Sequence, residues 1–136
     1  MRASESVVYS AELLEDAPPE TGLFTWDLSE NTLHADGALA SIFGLDAGEA
    51  SGGLPIEEYL ERVHPEDRPG LAKTIRDSII ADRPQQKTYR VMDGSGHYQF
   101  VTGYGRGFRN RSGEILQYVG IVVPAFKAMS IPRTSH

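Results

Sequence analysis

The stretch "RVHPEDR", residues 62–68, concentrates one histidine, two carboxylates and two arginines around a proline. An imidazole beside carboxylates could serve general acid/base catalysis, and the same groups could ligate a metal. Both uses need side chains that converge on one point. Consecutive Glu66 and Asp67 point in different directions. His34, His97 and His136 show no ligand spacing such as His-x-x-x-His. A corner between two helices accounts for every residue type in the stretch. Pro65 disfavours helical geometry at His64, so the preceding helix stops at Val63 or His64. Asp67 is placed to accept backbone N–H bonds as the N-cap of the next helix, and Pro69 falls in its first turn at no cost in hydrogen bonds. Glu66 and Asp67 suit the positive end of that helix. An enzyme using His64, Glu66 and Asp67 as acid/base groups is therefore a remote alternative. No catalytic residue and no metal ligand is assigned.

The 136-residue chain is of single-domain size and can bury one core. Its net charge of −6 offers no broad basic surface, which disfavours nucleic acid as a partner. The absence of cysteine removes disulfides, zinc thiolates, thiol redox chemistry and any cysteinyl adduct to a cofactor. No apolar run approaches a membrane span and the N-terminus lacks the long apolar stretch of a signal peptide, so a cytoplasmic location is expected.

Residues 4–16 can form a short helix with Val7, Val8, Ala11 and Leu14 on one side, broken by "APPETG". "GLFTWDL" and "TLHADG" read as strands around a tight "SEN" turn, and "ALASIFG" as one or two helical turns presenting Leu39, Ile42 and Phe43. "DAGEASGG", 46–53, reads as a loop. "LPIEEYLERV" reads as a helix begun at Pro55. Beyond the corner, Leu71, Ile75 and Ile79 recur four apart, making the longest helix. From residue 86 the period becomes strand-like. "QKTYRVM", "HYQFVTGYGRGF" and "EILQYVGIVV" form a meander, with turns at "DGSG" and "RNRSG" and a stop at Pro124. The fold class is α+β with one antiparallel sheet. Residues 1–21 are expected to be a cap helix and linker, 22–124 the domain, and 125–136 a flexible tail.

The strand at residues 97–108 has two unlike faces. Tyr98, Phe100, Tyr104 and Phe108 alternate onto one; Val101, Gly103, Gly105 and Gly107 share the other. Glycine weakens a strand, so its repetition implies either close approach of the helices or room for a ligand, and the first is preferred. The aromatic face needs a cover. The natural cover is the N-terminal helix, through Val7, Val8, Ala11 and Leu14, and a partner subunit is the other candidate; a homodimer using this face, with Phe100 and Tyr104 in the interface, is expected. Trp26 is expected in the core, and Arg90 can pair with Asp67 or Glu66.

In this order and spacing the segments resemble a PAS domain, a sensor module of bacterial signalling proteins. "GLFTWDLSENTLHADGALASIFG" resembles its first two strands and first short helix, "PIEEYLERVHPEDRPGL" the lead-in to its long helix, and "YRVMDGSGHYQFVTGYGRGFRNRSGEILQYVGIVV" its closing meander. The resemblance implies a five-stranded antiparallel sheet in spatial order 2-1-5-4-3, short helices across one face, and a cavity between helices and sheet. Phe43, Ile75, Ile79, Val101, Gly103 and Gly105 are the candidate lining residues. Relatives commonly pair through the outer sheet face and N-terminal helix and signal to kinases, cyclases or transcription factors. One departure stands out. "GIVVPAFKAMSIPRTSH" replaces the family's Asp-aliphatic-Thr ending with Pro124 and Ala125, with Pro132 soon after, which interrupts a continuous output helix.

The family's flavin photochemistry through a cysteine is excluded, since the chain has none. Haem-binding relatives supply a histidine from the long helix; residues 70–82 contain none, which disfavours haem. No cofactor is expected, with a non-covalent flavin or a small organic molecule as the alternative. The expected function is a non-catalytic sensory or regulatory module acting by homodimerisation and contact with a signalling protein. The alternative is a sensor with a ligand in its cavity.

Overall fold

The computed structural model describes residues 21–125. Five strands form one antiparallel sheet: β1 (Gly22–Asp27), β2 (Thr32–Ala35), β3 (Gln85–Met92), β4 (Tyr98–Arg109) and β5 (Ile115–Pro124). Their spatial order is β2-β1-β5-β4-β3. Four helices interrupt the sequence between β2 and β3: α1 (Gly37–Ile42), α2 (Ala47–Gly52), α3 (Ile56–Leu60) and α4 (Arg68–Ala81). The expected N-terminal helix, with Val7, Val8, Ala11 and Leu14, and the tail beyond Ala125 lie outside the described residues.

The core lies between the helices and one side of the sheet. Leu39, Ile42 and Phe43 from the first helix meet Leu33, Tyr89, Val91, Val101 and Val122 from the strands. Close approach is built in at Gly22, where an added Cβ would lie 2.6 Å from Leu39 Cα. Asp36 holds that helix in place: Oδ1 accepts from Leu39 N at 2.9 Å and from Leu23 N at 3.1 Å. One side chain thus caps α1 and ties it to β1.

Asn31 performs a similar service at the first hairpin. Its φ of +52° closes the turn, a conformation asparagine tolerates better than most residues. Its Oδ1 accepts from Trp26 Nε1 at 2.9 Å and Ile56 N at 3.3 Å, and its Nδ2 donates to Glu57 at 2.8 Å. The turn is thereby sewn to the start of α3.

Residues 46–53 are not a loop. Ala47–Gly52 is helical, with Asp46 accepting from Glu49 N at 3.0 Å. Asp46 followed three residues later by Glu49 is a recognisable helix start, and the surrounding glycines obscure it. Ala50 is its one buried anchor. At the other terminus of the described chain, Ala125 is buried and its N–H bonds Phe100 O at 2.9 Å, so ordered pairing runs one residue past Pro124.

Candidate functional site: a two-faced sheet and its cavity

The His-Pro-Glu-Asp corner covers an edge of the sheet. β3 is the edge strand beyond β4, and its upper half would otherwise present unpaired backbone groups. His64 N–H donates to Arg90 O at 2.8 Å, and Met92 N–H to Arg62 O at 2.8 Å. Arg90 N–H donates to Asp67 Oδ2 at 2.9 Å. The Arg90 guanidinium then grips the same carboxylate in a fork, Nε to Oδ2 at 2.9 Å and Nη2 to Oδ1 at 2.8 Å. Glu66 lies farther off at 3.5 Å. This arrangement corrects the reading of Asp67 as a side-chain cap: it occupies the N-cap position of α4 but makes no capping bond, because Arg90 takes its oxygens. The charge-assisted fork is the stronger partner. It holds the Asp67 carboxyl down at about 2, through the Arg90 hydrogen bonds first. Such a carboxylate is a poor proton acceptor near neutral pH. His64 is also engaged, its Nδ1 accepting from Glu66 N at 3.1 Å and its ring lying 4.8 Å from that of Tyr98. Among the described residues no three His, Asp or Glu side chains are grouped to hold a metal ion.

β4 carries the contrast anticipated from its alternation. Val101, Gly103, Gly105 and Gly107 face inward and are buried. Tyr98, Phe100, Tyr104 and Phe108 face outward, each between 39% and 48% exposed. Tyr104 is in register with Ile121, which is in register with Leu23, so the outer apolar row continues across three strands. Leu23 is 51% exposed. Arg90 and Arg106 flank this row, their guanidinium carbons 5.9 Å and 5.7 Å from the ring centres of Phe100 and Phe108.

The inner glycines receive side chains from neighbouring strands, not helices. A Cβ at Gly105 would run into the ring of Tyr118, one at Gly103 would meet the Tyr89 hydroxyl at 3.2 Å, and one at Gly107 would meet Ile115 at 2.9 Å. Tyr118 stacks on Phe24 and packs edge-on to Trp26, each at 6.3 Å between ring centres. The ring could lie flat on the sheet only because the position beside it has no side chain.

Between these rings and the helices a cavity of about 60 Å³ remains. Of the six positions expected to line it, Phe43, Ile75 and Gly103 do so. Val101 is fully buried, Gly105 lies under Tyr118, and Ile79 is half-buried on α4. Ser78 takes the buried place beside Ile79, its hydroxyl bonded to Arg83 O. Sequence reading missed Tyr59, Gln85 and Tyr118 as lining residues. The signal was weak: Tyr59 and Tyr118 sit among apolar positions, and Gln85 sits in the polar stretch that opens β3. Tyr59 Oη is buried without a hydrogen-bond partner, whereas Tyr118 Oη lies close enough to Ser78 and Gln85 for hydrogen bonding to act on it, though short of full hydrogen-bond geometry. Burial pushes the Tyr59 hydroxyl up to about 12 and raises Tyr118, with Ser78 and Gln85 beside it pulling the other way. Both hydroxyls are therefore protonated donors at neutral pH.

The sheet order, the helices laid over one face and the cavity between them define a PAS-type fold. The chain belongs to the PAS fold family, whose model matches residues 32–122. No curated protein matches the chain. Among solved structures it is similar to the N-terminal domain of a diguanylate cyclase with a PAS/PAC sensor from Marinobacter aquaeolei, with 17% identity and a TM-score of 0.68 over 76% of this chain and 94% of that one. It is also similar to a sensory box histidine kinase/response regulator from Burkholderia thailandensis, with 20% identity and a TM-score of 0.66 over 85% and 89%. A light-oxygen-voltage domain studied with a flavin analogue shows 15% identity and a TM-score of 0.64 over 96% and 93%.

Proposed function

We propose that this chain is a cytoplasmic sensory and regulatory PAS module that homodimerises through the outer face of its sheet and acts on a signalling protein without catalysing a reaction. The observation that carries this reading is the exposed outer row of Phe100, Tyr104 and Phe108, continued by Ile121 and Leu23. An exposed aromatic row of this kind, with Thr102 and Arg106 set between its members, supports an interaction surface. The first sixteen residues supply Val7, Val8, Ala11 and Leu14 as its second component. The acid/base alternative has little support, since Arg90 occupies Asp67. Among the described residues no helix is long and apolar enough to cross a membrane.

A flavin fits poorly. Ligand sites for molecules of drug size span roughly 300–1,000 Å³, and the cavity offers about 60 Å³. The experiment for the main reading is the solution mass of the full chain at micromolar concentration, compared with a chain lacking residues 1–16. A dimer that weakens on truncation is expected. A monomer whose mass state is the same with and without those residues contradicts the reading.

A further inference from the structure

The edge strand β3 is guarded along only half its length. Arg90 and Met92 turn their backbone groups away from β4, and the corner takes them: His64 N–H bonds Arg90 O, Met92 N–H bonds Arg62 O, and Arg90 N–H bonds the Asp67 carboxylate. The pairing of β3 with β4 keeps one register throughout, so Gln86 and Thr88 turn their N–H and C=O groups the same way. No described residue bonds those four groups. Both residues are exposed. An open length of strand edge is a template for a further strand.

A second copy of β3 is a poor occupant. The antiparallel register that satisfies Gln86 and Thr88 together sets Gln86 of one chain against Thr88 of the other. It therefore sets Lys87 directly against Lys87, a repulsive pair. Sliding the register by two residues brings in Pro84, which has no N–H, or Arg90, whose groups the corner already holds. Lys87 has no carboxylate within ion-pair distance among the described residues. The residues beyond Ala125 carry Lys127 and Arg133 and no Asp or Glu, so they suit Lys87 no better.

We propose that the lower half of β3 receives an extended, acidic segment of a partner protein, paired antiparallel with Gln86 and Thr88 and placing a carboxylate opposite Lys87. This names a docking surface for the signalling partner of the reading above and rests on that reading for such a partner, but not on the outer-face dimer. Backbone hydrogen bonds supply the affinity, and Lys87 supplies the charge preference.

The test is titration of the full chain against a fluorescein-labelled peptide, Thr-Val-Thr-Glu-Thr-Val-Thr, read by anisotropy, with circular dichroism to monitor the fold. Saturable binding is expected. The same peptide with lysine at its centre should bind about fivefold more weakly, and Lys87→Glu should reverse that preference. N-methylation of the two threonines flanking the glutamate should weaken binding about tenfold or more, since their N–H groups bond the β3 carbonyls. Thr88→Pro, which deletes an N–H outside the β3–β4 ladder, should do the same, while Thr88→Val binds as the parent does. Absence of saturation overturns the proposal. So does equal affinity for the glutamate and lysine peptides, or binding indifferent to N-methylation. Residues 1–16 are themselves acidic, with Glu5, Glu12, Glu15 and Asp16. A probe affinity that rises tenfold when they are removed would give the edge to that segment and overturn the partner. The solution mass of the same samples reads the other surface: a dimer that ignores the peptide overturns only the edge, and a monomer that binds it overturns only the outer-face interface.

Discussion

Along β4 the two faces meet opposite demands. The inner face is stripped to glycine so that the rings of Tyr89 and Tyr118 can lie against the sheet. The outer face keeps its aromatics and leaves them between 39% and 48% exposed. A strand whose task were only to close a core would need aromatics inside and polar residues outside. The inversion here places large rings where they contribute little to the monomer and a great deal to whatever covers them. The inner face encodes the fold, and on the reading proposed above the outer face is left for association.

Substitutions on the inner side should have the largest effect. A Cβ at Gly120 would overlap the carbonyl oxygen of Tyr104 and approach Phe24 at 2.9 Å. Gly120→Val should cost roughly 3 kcal/mol, or prevent folding, because backbone cannot move aside as a side chain can. A denaturant melt measures this, and an unchanged midpoint would break the claim that the strands pack this tightly.

The corner comes next. Asp67→Ala removes the fork to Arg90 and the bond to its backbone N–H, and should lower stability by roughly 1–2 kcal/mol, since the pair is partly solvated. The same pair sets an acid limit. Asp67 is held at about 2, below its ordinary 3.8. Its contribution is fully present above about pH 4 and is lost as pH falls toward about 2. Melts of the parent and Asp67→Asn should converge over that interval; parallel curves would assign the acid loss to other groups.

Outer-face changes should affect the fold least. Phe100→Ser or Tyr104→Ser should shift monomer stability by no more than about 0.5 kcal/mol, in keeping with exposed positions. Each should nevertheless weaken self-association. A large loss of stability in dilute, monomeric protein would show that these rings brace the fold.

Much of this was legible in the sequence because local signals agreed with one another. The period change at residue 86, the turn residues in "DGSG" and "RNRSG", and the proline-bounded corner placed the meander and the long helix. Sequence alone offers Arg90 two partners, Asp67 and Glu66, and the structure gives the close fork to Asp67. What Asp67 does was misread, since capping is a local rule and the winning partner is 23 residues away. Helix α2 was hidden by its glycines. The cavity was the hardest part: which of Val101, Gly103, Gly105 and Ile79 borders empty space depends on how Tyr89, Tyr118 and Ser78 pack, and alternation says only which face a residue takes. No local pattern says where a tyrosine ring will rest.

The most direct test of the central claim is the solution mass of the full chain beside its Phe100→Asp/Tyr104→Asp variant, at equal micromolar concentration. The account predicts a dimer for the parent and a folded monomer for the variant. A parent that sediments as a monomer, or a variant that remains dimeric, would contradict it.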